Sequence, residues 1–132
     1  IAGQPISGNW EMYQLPMSEV PDFTKLGNNN VFKNGSSQAN RLKDCPVLYE
    51  GTFTLDETGD TFIDMEAWGK GIIFINGHNI GRYWKVGPQQ TLYIPGVWLK
   101  KGENKIVIFE QLNETPMTEV KTVKTPILMN LK

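Results

Sequence analysis

A chain of 132 residues can bury a real core without disulfides or bound metal, and its 39% hydrophobic and 20% charged residues are those of an ordinary globular domain. Thirteen Lys and Arg against fourteen Asp and Glu leave a net charge of −1 with no polybasic run, which argues against a nucleic acid partner. No apolar run is long enough to carry a helix across a bilayer.

Thirteen glycines and eight prolines punctuate short apolar runs, and no long stretch keeps a helical period. That pattern predicts one all-β domain over residues 1–132, a sandwich or jelly roll. The chain opens on IAGQPISGNW, without an initiator Met or a signal-peptide pattern, and closes on ILMNLK. Both ends are expected to be cuts in a longer polypeptide.

The first predicted strand is Trp10–Leu15, in which Trp10, Met12 and Gln14 alternate with Glu11, Tyr13 and Leu15. Pro16 and Pro21 end it. Residues 22–43 read as a long surface loop with room for one helical turn, containing GNNN at Gly27–Asn30 and NGSSQAN at Asn34–Asn40. Asn34-Gly35-Ser36 fits a glycosylation sequon, but turn chemistry accounts for it better. Cys45 has no partner for an intramolecular disulfide and reads as a buried structural thiol.

A strand is predicted over Leu48–Leu55, a turn at Glu57–Asp60, and a second strand over Thr61–Trp68. In the second strand Ile63, Met65 and Ala67 share one face, and Phe62, Asp64, Glu66 and Trp68 the other. Ile72–Ile75 then meets Asn76-Gly77, whose two positive φ angles make a type I′ hairpin turn. That turn would pair Ile75 with His78, Phe74 with Asn79 and Ile73 with Ile80. Parity then puts Ile73, Ile75 and Ile80 on the core face, and carries Arg82 and Trp84 to the same face. Thr91–Ile94 is a short strand stopped by Pro95-Gly96, and Lys101–Asn104 is a turn. Lys105–Glu110 (KIVIFE) is apolar enough for a central strand covered on both faces. Thr115–Thr125 reads as a polar connection, and Ile127–Leu131 as a strand that closes a sheet.

Few residues are placed to carry chemistry. Asp64 and Glu66 point the same way, a relation more common on a solvated sheet face than in a catalytic pair. His78 has no second His or Cys placed to share a transition metal, and reads as a polar cap on the hairpin. Ser/His/Asp and phosphate-loop patterns are absent. No cofactor is called for, although Asp56 or Asp60 with loop carbonyls would suit a structural calcium. Arg82-Tyr83-Trp84 stands out. An arginine on a core-facing parity needs a partner, and Asp64, Glu66 and Glu110 are the candidates. Either this cluster packs at the rim of the core, or its flat aromatic face and guanidinium form a sugar site. Trp68 and Trp98 pose the same choice.

The segment GKGIIFINGHNIGRYWKVGPQQTLYIPGVWL, followed by GENKIVIFE, resembles the C-terminal β-sandwich of glycoside hydrolase family 35 β-galactosidases. Upstream, PVLYEGTF and FIDM also fit, so the likeness runs tightly from Pro46 to Glu110 and loosely over Trp10–Pro16. It implies a galactose-binding-like jelly roll. In that family the catalytic glutamates belong to a TIM barrel of about 250 residues, for which this chain has no room. The resemblance therefore implies a non-catalytic piece of a hydrolase, partnered by the barrel and other domains of the same polypeptide. It places Arg82, Tyr83, Trp84 and Gln89 at an interface or a substrate-proximal rim. The alternative is a carbohydrate-binding module that takes galactosides on Trp84, Arg82 and one of Trp68 or Trp98.

Overall fold

A computed structural model describes residues 8–9, 11–14, 16–20, 22, 46–112, 117 and 119–128. Seven strands are formed among them: β1 (Val47–Leu55), β2 (Thr61–Asp64), β3 (Lys70–Ile75), β4 (His78–Trp84), β5 (Thr91–Ile94), β6 (Gly102–Glu110) and β7 (Lys121–Val123). They make a four-stranded sheet in the order β1-β6-β3-β4 and a three-stranded sheet in the order β5-β2-β7, with every pairing antiparallel. The predicted β-sandwich is the observed one. Among the described residues no helix is long and apolar enough to cross a membrane.

The core lies between the sheets. Ile73, Ile75, Tyr83 and Ile108 from the large sheet meet Ile63, Leu92 and Ile94 from the small one, with Met65, Trp68 and Leu99 closing the ends. The central strands β3 and β6 are also buried on their second face, through Phe74 and Val107. This double burial is why KIVIFE is almost continuously apolar.

Asn76 and Gly77 adopt φ of 49° and 87°, as the hairpin turn requires. The Asn76 side chain does more than turn the chain. Its Nδ2 donates to the Trp98 carbonyl and to Asn104 Oδ1, both at 2.8 Å, and its Oδ1 accepts from the Lys105 N–H at 2.9 Å. Asn104, itself buried, donates to the Lys100 and Gly102 carbonyls. The hairpin tip is thereby tied to the start of β6 with its buried amides satisfied.

Four expectations need correction. Ile73 faces Gly81, not Ile80, because a bulge interrupts the ladder between the Ile73 and Phe74 pairs. Gly81 takes φ of 130°, and its N–H is held by Asn79 Oδ1 at 2.9 Å. One inserted residue reverses the parity of everything after it. Tyr83 therefore turns into the core, while Arg82 and Trp84 turn out. The second correction is β2, which stops at Asp64. There Asp64 Oδ1 accepts the Glu66 N–H at 3.0 Å and the Trp68 N–H bonds the Met65 carbonyl at 3.0 Å. The resulting turn rotates Trp68 into the core and leaves Ala67 exposed. Third, Glu11–Gln14 carry no strand, and Met12 and Tyr13 are exposed. Fourth, the supposed connection before Thr125 contains β7, which pairs with β2. Trp10, Leu15, Cys45, the sequon and nearly all of the 22–43 loop lie outside the described residues, as do 129–131. Before them Leu128 bridges Gln89 in isolation.

Candidate functional site

The chemistry-bearing side chains gather where β3, β4 and β6 come together. Glu110 ends β6 on the inner face and is 2% exposed. Each of its oxygens accepts two hydrogen bonds. Oε2 takes the Gly69 N–H at 2.9 Å and the Tyr83 hydroxyl at 3.1 Å, and Oε1 takes the Lys70 N–H at 3.0 Å and the Leu112 N–H at 2.7 Å. A buried carboxylate normally demands a cation, but four donors aimed at its lone pairs hold the charge instead. The sequence offers Glu110, with Asp64 and Glu66, as a partner for Arg82. In the fold its partner is Tyr83, because the bulge at Gly81 exchanges the two residues across the sheet.

Two glycines make this approach possible. A Cβ on Gly69 would stand 2.9 Å from Glu110 Oε1, and one on Gly71 would stand 2.5 Å from the Tyr83 hydroxyl oxygen. The GKG motif is thus a backbone cradle for a carboxylate of the chain itself. Tyr83 packs edge-on to Trp68 at 6.4 Å, and Trp68 edge-on to Tyr49 at 5.2 Å. At 3% exposure Trp68 offers no face to a ligand.

Burial, reinforced by the charge of Glu110, pushes the Tyr83 phenol well above its ordinary value near 10. The folded state therefore keeps this proton to a higher pH than the unfolded chain does. Below pH 10 both states are protonated and the contribution of Tyr83 to stability is complete. Above it only the unfolded state releases the proton, so stability falls as pH rises, by up to about 1.4 kcal/mol per pH unit from this group. Chemical denaturation from pH 8 to 11.5 is expected to show a steeper alkaline loss for the parent chain than for Tyr83→Phe. Parallel curves would mean that Tyr83 ionises no differently in the two states.

The outer face is a separate surface. Trp84, 42% exposed, lies opposite Lys70 on β3, whose ammonium sits 4.7 Å from the centroid of the indole. Arg82, two residues before it, is exposed on the same face. An exposed guanidinium keeps its water, and the requirement for a buried partner disappears. Trp98 lies elsewhere. It stacks on His78 at 4.8 Å with the rings 10° apart, at the opposite end of β4. Six strand steps separate His78 from Trp84, about 20 Å. Gln89 is exposed, and its Nε2 donates to the Thr91 carbonyl at 2.8 Å beside the Leu128 bridge. Of the six singled-out residues, Arg82 and Trp84 share a surface, Tyr83 and Trp68 share the core, and Trp98 and Gln89 stand apart.

Asp60, a candidate calcium ligand, accepts the Gly96 N–H at 2.8 Å, which with the Tyr93 hydroxyl lowers its carboxyl pKa. Among the described residues no three His, Cys, Asp or Glu side chains are grouped as metal ligands.

The hairpin and the glycine side of the carboxylate cradle lie in a segment that known proteins share, while Glu110 itself follows it. Residues 46–104 match the family described as "Beta-galactosidase, galactose-binding domain". The family resemblance read from the sequence is thus shown over this segment. Over 129 residues it is 38% identical to Beta-galactosidase 1 of Dictyostelium discoideum, covering 96% of this chain and 18% of that protein. It is 47% identical over 72 residues to Beta-galactosidase-1-like protein 2 of Homo sapiens, covering 54% of this chain and 11% of that protein. Beta-galactosidase 8 of Oryza sativa subsp. japonica is 37% identical over 142 residues, covering 89% of this chain and 21% of that protein. The chain thus spans about a fifth or less of the length of these curated relatives.

Proposed function

We propose that this chain is a non-catalytic accessory domain of a β-galactosidase, bracing the catalytic barrel and helping to shape its substrate entrance. Its relatives are β-galactosidases several times its length. The observation that carries the reading is how its most distinctive motif is divided. In Gly81-Arg82-Tyr83-Trp84 the glycine makes the bulge, the tyrosine locks the core, and only Arg82 and Trp84 reach the surface together. A half-exposed tryptophan flanked by Lys70 and Arg82 suits a contact with another domain, where tryptophan and arginine are the residues that anchor interfaces. The other acids singled out by the sequence favour the same reading, since Asp64 and Glu66 belong to one tight turn.

Arg82→Ala together with Trp84→Ala should leave the melting of the isolated chain within about 1 kcal/mol of the parent. In the full polypeptide the same pair should shorten the thermal half-life of nitrophenyl β-galactoside hydrolysis or raise its KM. The isolated chain should hydrolyse nothing. Turnover by the isolated chain, or a full-length double variant indistinguishable from the parent, defeats the proposal. Saturable binding of galactose by the isolated chain, abolished by Trp84→Ala alone, would instead establish a carbohydrate-binding module.

A further inference from the structure

An Asn followed by Gly is chemically labile, because glycine places no side chain in the way when its nitrogen attacks the amide carbon before it. At Asn76-Gly77 the step needs water alone. The Gly77 nitrogen gives up its proton and bonds to Asn76 Cγ, the Cγ–Nδ2 bond breaks, and ammonia leaves carrying that proton. The five-membered succinimide that remains takes up water at either carbonyl and opens to aspartate or isoaspartate. Nothing is oxidised or reduced.

In this fold the glycine side of the reaction is unguarded. Gly77 is exposed, and a Cβ on it would meet nothing within 4 Å. The amide side is held. Asn76 Nδ2 donates to the Trp98 carbonyl and to Asn104 Oδ1, and its Oδ1 accepts the Lys105 N–H. The Asn76 N–H bonds the Lys105 carbonyl at 2.9 Å and His78 stacks on the Trp98 ring, so both neighbours of Gly77 are anchored. Ring closure must swing Cγ onto the Gly77 nitrogen and draw the amide away from its three partners. We propose that Asn76 is a latent self-modification site, inert while the hairpin tip is tied and released to deamidate when the tip opens. The product does not fit the native ties. A carboxylate at residue 76 would set an oxygen against the Trp98 carbonyl and Asn104 Oδ1, where Nδ2 now donates at 2.8 Å. Asn104 cannot turn its amide over in response, because its Oδ1 also accepts the Lys100 N–H and its Nδ2 serves the Lys100 and Gly102 carbonyls. Isoaspartate would lengthen the main chain of a two-residue turn whose flanks, Ile75 and His78, are paired. Conversion is one-way and marks chains whose tip has opened.

Peptide mapping by mass spectrometry at mildly alkaline pH reads the reaction. In the native chain Asn76 should convert at least about tenfold more slowly than in denaturing urea, where it should match Asn34-Gly35 of the same molecule. Asn104→Ala removes one acceptor and should raise the native rate about fivefold. If that variant fails to fold, subdenaturing urea takes its place. The Asn76 rate should then climb in step with hydrogen exchange of the Lys105 amide, which reports the same opening. Asn76→Asp, one of the two products, should unfold at lower urea than the parent. The proposal is overturned by a native rate no slower than that in urea, or by a tip that opens, in Asn104→Ala or in the urea series, without faster conversion. It is equally overturned if Asn76→Asp keeps the urea midpoint of the parent.

Discussion

Glu110→Ala is expected to cost about 3–5 kcal/mol of folding free energy, a large share of an ordinary domain's marginal stability. The loss follows from what remains behind. Three backbone N–H groups, of Gly69, Lys70 and Leu112, and the Tyr83 hydroxyl would be left inside the fold without the carboxylate that accepts from them. Each buried donor left without an acceptor costs about 1–3 kcal/mol, moderated by whatever relaxation admits solvent. Glu110→Gln should be milder, about 1–3 kcal/mol. Its amide nitrogen would take the Oε2 position, where the Tyr83 hydroxyl can rotate to accept from it, and only the Gly69 N–H would lose its acceptor. Urea denaturation of the parent, both Glu110 variants, Tyr83→Phe and the double variant closes a cycle around the tyrosine–carboxylate bond. A coupling near zero would mean that Tyr83 serves by filling space alone.

This cradle explains which parts of the molecule could be read from its sequence. Asn76-Gly77 announced its hairpin because those two residues answer a local backbone demand that nothing distant can override. β1, β5 and β6 were legible for a similar reason, since apolar runs bounded by Gly and Pro leave few alternatives. The bulge was not. Gly81 sits inside a strand whose pattern runs on smoothly, and only its φ of 130° and the Asn79 contact show the extra residue. A one-residue slip then moved Arg82, Tyr83 and Trp84 to the faces opposite those expected. An interior glycine within GRYW was the available signal, because such a glycine in a strand often marks a bulge. Trp68 was misplaced for a different reason. Strand parity does not carry past Asp64, a residue that readily bonds its own backbone two positions on and so ends the extended run. Glu110 was visible as the acid closing an apolar strand. Its true partners were hidden, because three of the four are backbone groups that carry no sequence signature.

Gly71→Ala should be the most damaging single-methyl change in the described fold, costing more than about 3 kcal/mol. No left-handed backbone is involved at this position, so the effect is purely one of space. The added Cβ would overlap the Phe109 carbonyl oxygen of β6 while standing 2.5 Å from the Tyr83 oxygen and 2.8 Å from its Cζ. A side-chain tip could swing aside, but the Phe109 carbonyl, on a strand paired along both edges, cannot. The strands would have to separate, and with them the Gly69 and Lys70 N–H groups that hold Glu110. Two controls isolate the cause. Gly77→Ala meets no atom within 4 Å but sits at φ of 87°, so it should show only the conformational cost of about 1 kcal/mol. Gly51→Ala has neither clash nor strain and should be neutral or slightly stabilising. If Gly71→Ala melted like Gly77→Ala, β3 and β6 could part without loss, and the rigidity attributed to the cradle would be absent. If it unfolds as expected, the same rigidity positions the outer surface. Lys70 lies between Gly69 and Gly71, its N–H fixed by Glu110 and its ammonium over Trp84. The core carboxylate thereby sets the placement of the aromatic and basic groups on the outer face of this sheet.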